Sequence, residues 1–347
     1  MRILHVANFN LRNLGQDYFL TARKLSAAFV RNGHTVYDFS DRDMARAATP
    51  MGAKALGVAT VNRQFLDIVD NLRPDLICLG HADTIRTETV AEARQLHPPA
   101  RVLQWNHDPL FDSHNVAALN AKLEVVDATF ITTAGDHLKV LSRPGRVVAY
   151  MPNPQDAAIE DGRAFAVADL PVDLVYSVGP AGSQRQVGDR ILDVTSFCRD
   201  LRARLPDVRC LFPGLDGEPR VGGAAYHALL AASRMGLSLS RRSDNYLYSS
   251  DRMAHLMGNG VLTLVDRRTG FGDVFGEDEA AFYSEVEDLL DTVRRFKADD
   301  AARRAVAEAG WRKAHRIFDA RIVARYLVEL TFGLALSNDY GWPLHAY

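Results

Sequence analysis

The chain reads as an α/β protein with two Rossmann-like, doubly wound domains in tandem, and three observations predict this. Residues 3–150 alternate short apolar runs with amphipathic segments over short connections. That is the pattern of a parallel sheet covered by helices on both faces. Residues 151–170 break the rhythm, with Pro152, Pro154 and then Pro171 around a polar, alanine-rich stretch that reads as a linker. A second alternating series starts at Asp173-Leu174-Val175, and 347 residues suffice for two domains with a sizeable core each.

In the first half, Ile3–Ala7 is a short apolar strand. Tyr18, Ala22, Leu25 and Phe29 then recur on one helical face, and Asn32-Gly33 stops that helix. His34–Phe39 predicts the second strand, followed by helix Leu66–Leu72, strand Asp75–Leu79, helix Glu88–Leu96 and strand Val102–Trp105. Helix Ala117–Val125, strand Thr129–Thr132, helix His137–Leu141 and strand Val147–Tyr150 complete the half. After the linker come strand Leu174–Val178, helix Ile191–Leu205, strand Val208–Phe212, helix Ala224–Ala232 and strand Gly236–Ser240. The last helix, carrying Val323, Tyr326, Leu327, Leu330 and Leu334 on one face, is expected to cross back to the first domain.

Composition narrows the function classes. The formal net charge of −2 leaves no basic footprint for nucleic acid. Cys78, Cys198 and Cys210 lie far apart without metal spacing, as reduced core thiols do. No run approaches the ~18 apolar residues of a membrane span. The first strand opens at Arg2, so no signal peptide is expected and a cytoplasmic protein is. Peripheral membrane contact stays open.

Residues 252–272 are the most informative stretch. A helix opened by Ser249, Ser250 and Asp251 ends at Gly258-Asn259-Gly260 and leads into the apolar strand Val261–Val265. The strand breaks into the polar turn Asp266-Arg267-Arg268-Thr269-Gly270. A helix start, a strand end and glycine-rich turns suit a nucleoside diphosphate, whose phosphates face helix N–H groups and a first-turn arginine. An ordinary helix–strand unit has the same spacing.

This stretch, R-x-x-H-x-x-G-x-G before an apolar strand, resembles the R-x-x-E-x-x-A-x-G segment of CgeB-like glycosyltransferases. The similarity runs on through Phe275-Gly276-Glu277-Asp278-Glu279, Phe282-Tyr283, Glu285–Leu290, Arg304 with Gly310, and Arg321. Upstream, Asp173–Gly179 resembles that family's first C-terminal-domain strand, so the match covers roughly residues 171–330. The resemblance implies the GT-B architecture, with two Rossmann-like domains facing each other across a cleft. It also implies transfer of a hexosyl group from a nucleotide-diphosphate sugar to a glycan or other hydroxyl acceptor, in bacterial surface polysaccharide or glycoconjugate synthesis. No cofactor or metal is expected. His255 departs from the pattern, because the family has a donor-contacting Glu there. A catalytically degenerate binding protein is therefore one alternative, and a sugar-nucleotide epimerase, whose chemistry shares the GT-B scaffold, is another. The expected domains are 1–168 for the acceptor, 169–325 for the donor, and a 326–347 tail on the first.

Ligands of open parallel sheets bind beyond the carboxyl ends of the strands, so polar residues just after strands are the candidates. Asn106-His107-Asp108-Pro109 follows the Val102–Trp105 strand and offers His107 and Asp108 as general base for the acceptor hydroxyl. An Asx turn closed by Pro109 is the plainer reading. His81 and Asp83 are second candidates, and Asn8, Asn10 and Gly15 are expected to bind acceptor. On the donor side, Arg252 is expected to fork onto phosphate, supported by His255, Gly179, Ser183, Arg185, Asp266, Gly270 and Phe271. Donor base and sugar, acceptor, anomeric outcome and oligomeric state are not legible in these residues.

Overall fold

The structure is a computed structural model that describes residues 1–177 and 183–347. It divides into two compact units, 1–154 with 320–347, and 155–319.

In the first unit the order is β1 (Arg2–Ala7), α1 (Thr21–Arg31), β2 (Thr35–Ser40), α2 (Asp41–Ala47), α3 (Lys54–Leu72), β3 (Leu76–Gly80), α4 (Thr87–Leu96), β4 (Arg101–Asn106), α5 (Ser113–Asn120), β5 (Ala128–Ile131) and β6 (Val147–Tyr150). All six strands pair in parallel in the order β2-β1-β3-β4-β5-β6. β3 is apolar and buried throughout, as a strand covered on both faces must be. The predicted Leu66–Leu72 helix begins a dozen residues earlier, at Lys54. The predicted His137–Leu141 helix is a 3₁₀ segment, Gly135–Leu141. α2 starts directly on the Asp41 that follows β2, a helix too short for the periodicity to reveal.

The second unit contains β7 (Val172–Val175), β8 (Gln184–Val187), β9 (Arg190–Asp193), α6 (Val194–Arg204), β10 (Cys210–Leu211), α7 (Gly223–Ala231), β11 (Ser233–Ser238), α8 (Arg252–Gly258), β12 (Leu262–Asp266), β13 (Ala281–Tyr283), α9 (Val286–Ala298) and α10 (Asp300–Ile317). Five strands pair in parallel as β10-β7-β11-β12-β13. β8 and β9 form a separate antiparallel hairpin, where the sequence predicted the start of a long helix at Ile191. Gly188 at its turn has φ +55° and donates its N–H to Asp266 Oδ2 (3.1 Å), so a buried carboxylate fixes the hairpin to the end of β12.

The final helix, α11 (Ala320–Phe332), belongs to the first unit and packs on α1. It ends two residues before the predicted Leu334. Tyr340 and Trp342 are buried and close on Tyr326 of α11 at 4.9 and 5.4 Å between ring centroids. The three cysteines are free thiols, with Cys78 and Cys198 buried and Cys210 partly so. No helix among the described residues is long and apolar enough to cross a membrane.

Candidate active site

Both sheets reverse their strand order once, beside the first strand of each unit, and such switch points are where open α/β sheets bind ligands. In the first unit the reversal lies between β1 and β3. Asn8 and Asn10 follow β1, His81 follows β3, and His107 and Asp108 follow β4; all five line one cavity. The last residue of β3 is Gly80, where a Cβ would stand 2.2 Å from the Trp105 ring. Trp105 is itself anchored by its indole N–H, which donates to His5 Nε2 at 3.2 Å. His81 then takes a left-handed backbone, φ 49°, and its ring packs edge-on against Trp105.

The hydrogen bonds around His81 settle its tautomer. The His107 backbone N–H donates to His81 Nε2 (3.3 Å), so the ring proton resides on Nδ1. Nδ1 lies 3.6 Å from Asp108 Oδ2, and Asp108 is the exposed partner with 55% of its side-chain surface open. Burial, then the neighbouring His107 and Arg42, hold the His81 pKa well below the usual imidazole value. His81 is thus a neutral donor aimed at a carboxylate.

The turn that carries Asp108 is rigid. Asn106 Oδ1 accepts the Asp108 N–H at 2.7 Å, an Asx turn. Asn106 Nδ2 donates to Asn115 Oδ1 (2.6 Å), and Asn115 Nδ2 donates to the Asp108 and Pro109 carbonyls at 3.0 and 3.2 Å. Thr132 Oγ1 donates to the His107 carbonyl at 3.1 Å. Two polar atoms in this region, Asn8 Oδ1 and His107 Nδ1, are buried without a hydrogen-bond partner among the described residues.

His81, His107 and Asp108 bring three possible ligand atoms within 4.8 Å of one another. A metal on His81 Nδ1 would need that nitrogen deprotonated, and the His107 amide favours the opposite tautomer. The donor set fits a neutral imidazole facing a carboxylate at 3.6 Å better than a cation.

Asp83 has other work. Burial would raise its pKa, but Arg42 Nε (2.7 Å) and Lys54 Nζ (3.2 Å) outweigh that and hold it below the usual carboxylate value. A carboxylate so neutralised is a weak base. Asn10 donates through Nδ2 to Asp17 (3.0 Å), and Gly15 sits exposed in the following turn at φ +89°. Sequence reasoning passed over Trp105, Asn115, Arg42 and Lys122, all of which line the neighbouring cavity. Arg42 had a signal, since it is the second residue after β2. Lys122 lies beyond a helix end and had none.

In the second unit the switch point lies between β7 and β11. Arg252 stands there. Its Nε donates to the Ser177 carbonyl and Nη1 to the Leu239 carbonyl, both at 3.0 Å, just past the ends of those two strands. Nη1 also donates to Ser250 Oγ (3.1 Å), and the guanidinium lies 4.9 Å from the Tyr176 ring centre. Nη2 has no hydrogen bond among the described residues. His255 points inward: its side chain is 3% exposed, Nδ1 meets the buried Glu160 Oε1 at 2.8 Å, and Nε2 lies 3.7 Å from Asp251 Oδ2.

The remaining donor-side residues have structural partners. Asp266 is buried, its oxygens accepting the Gly188 and Arg268 N–H groups at 3.1 and 3.0 Å, and burial raises its pKa. Gly270 has φ +77°, and a Cβ would meet the Tyr246 ring at 2.4 Å. Phe271 is a core residue at 1% exposure. Arg185 is buried against Tyr176, with Nε donating to the phenol oxygen at 2.9 Å and Nη1 to Ser183 Oγ at 3.1 Å. Gly179 lies outside the described residues.

These features, two tandem parallel α/β units with switch-point sites and a C-terminal helix returned to the first unit, define the GT-B fold. Residues 186–329 match a family model described as glycosyl transferase-like. Sucrose-phosphate synthase from Thermosynechococcus elongatus is similar in structure at 13% identity, with 96% of this chain and 99% of that one covered and a TM-score of 0.61. Anabaena Alr3699/HepE in complex with UDP shares 12% identity over 96% of this chain and 100% of that one, TM-score 0.58. A UDP-forming α,α-trehalose-phosphate synthase from Burkholderia xenovorans shares 12% identity over 97% and 99%, TM-score 0.56. At such identities the likeness shows the fold. No curated protein matches in sequence.

Proposed function

We propose that this chain is a metal-independent glycosyltransferase that moves a hexosyl group from a UDP-sugar to a hydroxyl of a glycan or glycoconjugate, with inversion. The observation that carries the reading is Arg252, which bridges the ends of β7 and β11 at the switch point inside the glycosyl transferase-like region. A guanidinium there, with Nη2 unbonded among the described residues, offsets charge developing on the leaving diphosphate. Structural neighbours solved with UDP and UDP-glucose support UDP as the nucleotide.

In the first unit, Asp108 is the acceptor base. The acceptor oxygen attacks the anomeric carbon, the bond from that carbon to the diphosphate oxygen breaks, and the nucleotide leaves with the electron pair. Asp108 takes the hydroxyl proton, while the His81 Nδ1–H orients its carboxylate from 3.6 Å. His81 itself cannot serve, because its lone pair is already bonded to the His107 amide.

Calorimetric titration with UDP and GDP, followed by incubation with a sugar-nucleotide panel and acceptor glycans, tests the reading. UDP binding and an inverted glycoside are expected. Failure to bind either nucleotide, with no sugar transferred, refutes it. Binding without chemistry identifies a degenerate binder, and an epimerised sugar nucleotide formed without acceptor identifies an epimerase.

A further inference from the structure

A second cavity of about 160 Å³ opens in the first unit between α5 and the turn after β3, and His81 and Asp108 line it too. A single water needs only ~10–15 Å³, so the space suits a larger group. Two cationic side chains enter it. Lys122 is partly buried, and its ammonium makes no hydrogen bond or ion pair among the described residues. Arg42 bonds Asp83 through Nε alone, at 2.7 Å, which leaves its two Nη groups without hydrogen bonds there.

An ammonium held partly out of water without a partner is unfavourable unless something else satisfies it. Burial lowers the Lys122 pKa, against which the charges of Asp83, Asp41 and Glu88 pull upward, and burial prevails. Asp83 is already committed to Arg42 and Lys54. The cavity thus holds unused positive donors beside a carboxylate that is free to meet a sugar hydroxyl.

We propose that this cavity is an acceptor subsite for a sugar carrying one anionic group, a phosphate or a carboxylate, which Lys122 and Arg42 bind while Asp108 faces the hydroxyl. The assignment rests on the reading of Asp108 as acceptor base. It adds that the acceptor is acidic rather than neutral.

Calorimetry with glucose 6-phosphate, glucuronate and glucose on the intact chain tests it without requiring turnover. At least one anionic sugar should bind 10-fold or more tighter than glucose, and whichever binds better names the anion. Lys122→Met keeps the aliphatic stem and removes a desolvated charge, so it should fold. That variant should lose about 10-fold or more of the preference, the scale of a charge-assisted hydrogen bond. Lys122→Arg should recover most of it, with UDP affinity constant throughout. Glucose binding as tightly as the anions, no probe binding at all, or an unchanged preference in Lys122→Met each overturns the proposal. The two readings fail separately. Selective anion binding with no sugar transfer sinks the transferase assignment, whereas transfer to neutral glycans without anion preference sinks only the subsite.

Discussion

Replacing Arg252 by Ala separates its structural contacts from the phosphate binding proposed for it. The guanidinium holds the Ser177 and Leu239 carbonyls and covers the Tyr176 ring. Leu239 keeps a second donor, because the Tyr176 hydroxyl also bonds its carbonyl at 3.2 Å, whereas Ser177 O has no second donor among the described residues. One orphaned carbonyl costs about 1–3 kcal/mol, and the lost cation–π contact adds about 0.5–1 kcal/mol. A loss near 2–3 kcal/mol follows, or roughly 5–10 °C in Tm for a unit of this size. Arg252→Lys should retain part of the stability but not the fork onto phosphate. Differential scanning calorimetry gives the first quantity and UDP titration of the folded variant the second, where a 10-fold or greater weakening is expected. A Tm within about 2 °C of the parent would refute the bridging role. A large Tm loss with unchanged UDP affinity would make the arginine purely structural.

Asp108→Asn should lower turnover by about 10²–10⁴ while UDP affinity stays put, and turnover within threefold of the parent removes Asp108 as the base. His81→Asn, which tolerates the left-handed backbone, should cost less in turnover than Asp108→Asn, as a positioning residue does; an equal or larger loss would give His81 the proton. Gly310→Ala would raise helix propensity, yet its Cβ would lie 2.1 Å from the Glu279 carbonyl, so thermal denaturation should show destabilisation of about 1–3 kcal/mol; a stabilised variant refutes that packing. Asp173 is fully buried, and although burial raises its pKa, Arg209 and Lys297 prevail and hold it well below the ordinary value. Its stabilisation is therefore complete above about pH 4 and fades as the pH falls below that. Asp173→Asn should cost about 3 kcal/mol at pH 7, a deficit that narrows in urea melts at pH 3 and below. A deficit constant with pH would exclude the ion pairs as its source.

The chain's local pattern determined the architecture. Apolar runs such as Leu76–Leu79 and Leu262–Val265 are too hydrophobic for anything but two-sided burial, and their alternation with helices leaves a doubly wound sheet. The rule that ligands lie past strand ends likewise brought forward Asn8, His81 and Asp108 from their position alone, while Arg252 came from a helix start and the family resemblance. The β8–β9 hairpin escaped because four-residue strands bearing Arg185, Arg190 and Asp193 have no periodicity to read. Other outcomes were decided only by side chains distant in sequence. His107 sets the tautomer of His81 from 26 residues away, and Asp83 is neutralised by Arg42 from 41. Glu160 meets His255 across 95 residues, which turns an apparent departure in the donor motif into an interior pair. Periodicity reports which face of an element is buried. Protonation and partnership depend on distances of a few ångströms that the chain sets only when its sheets have closed.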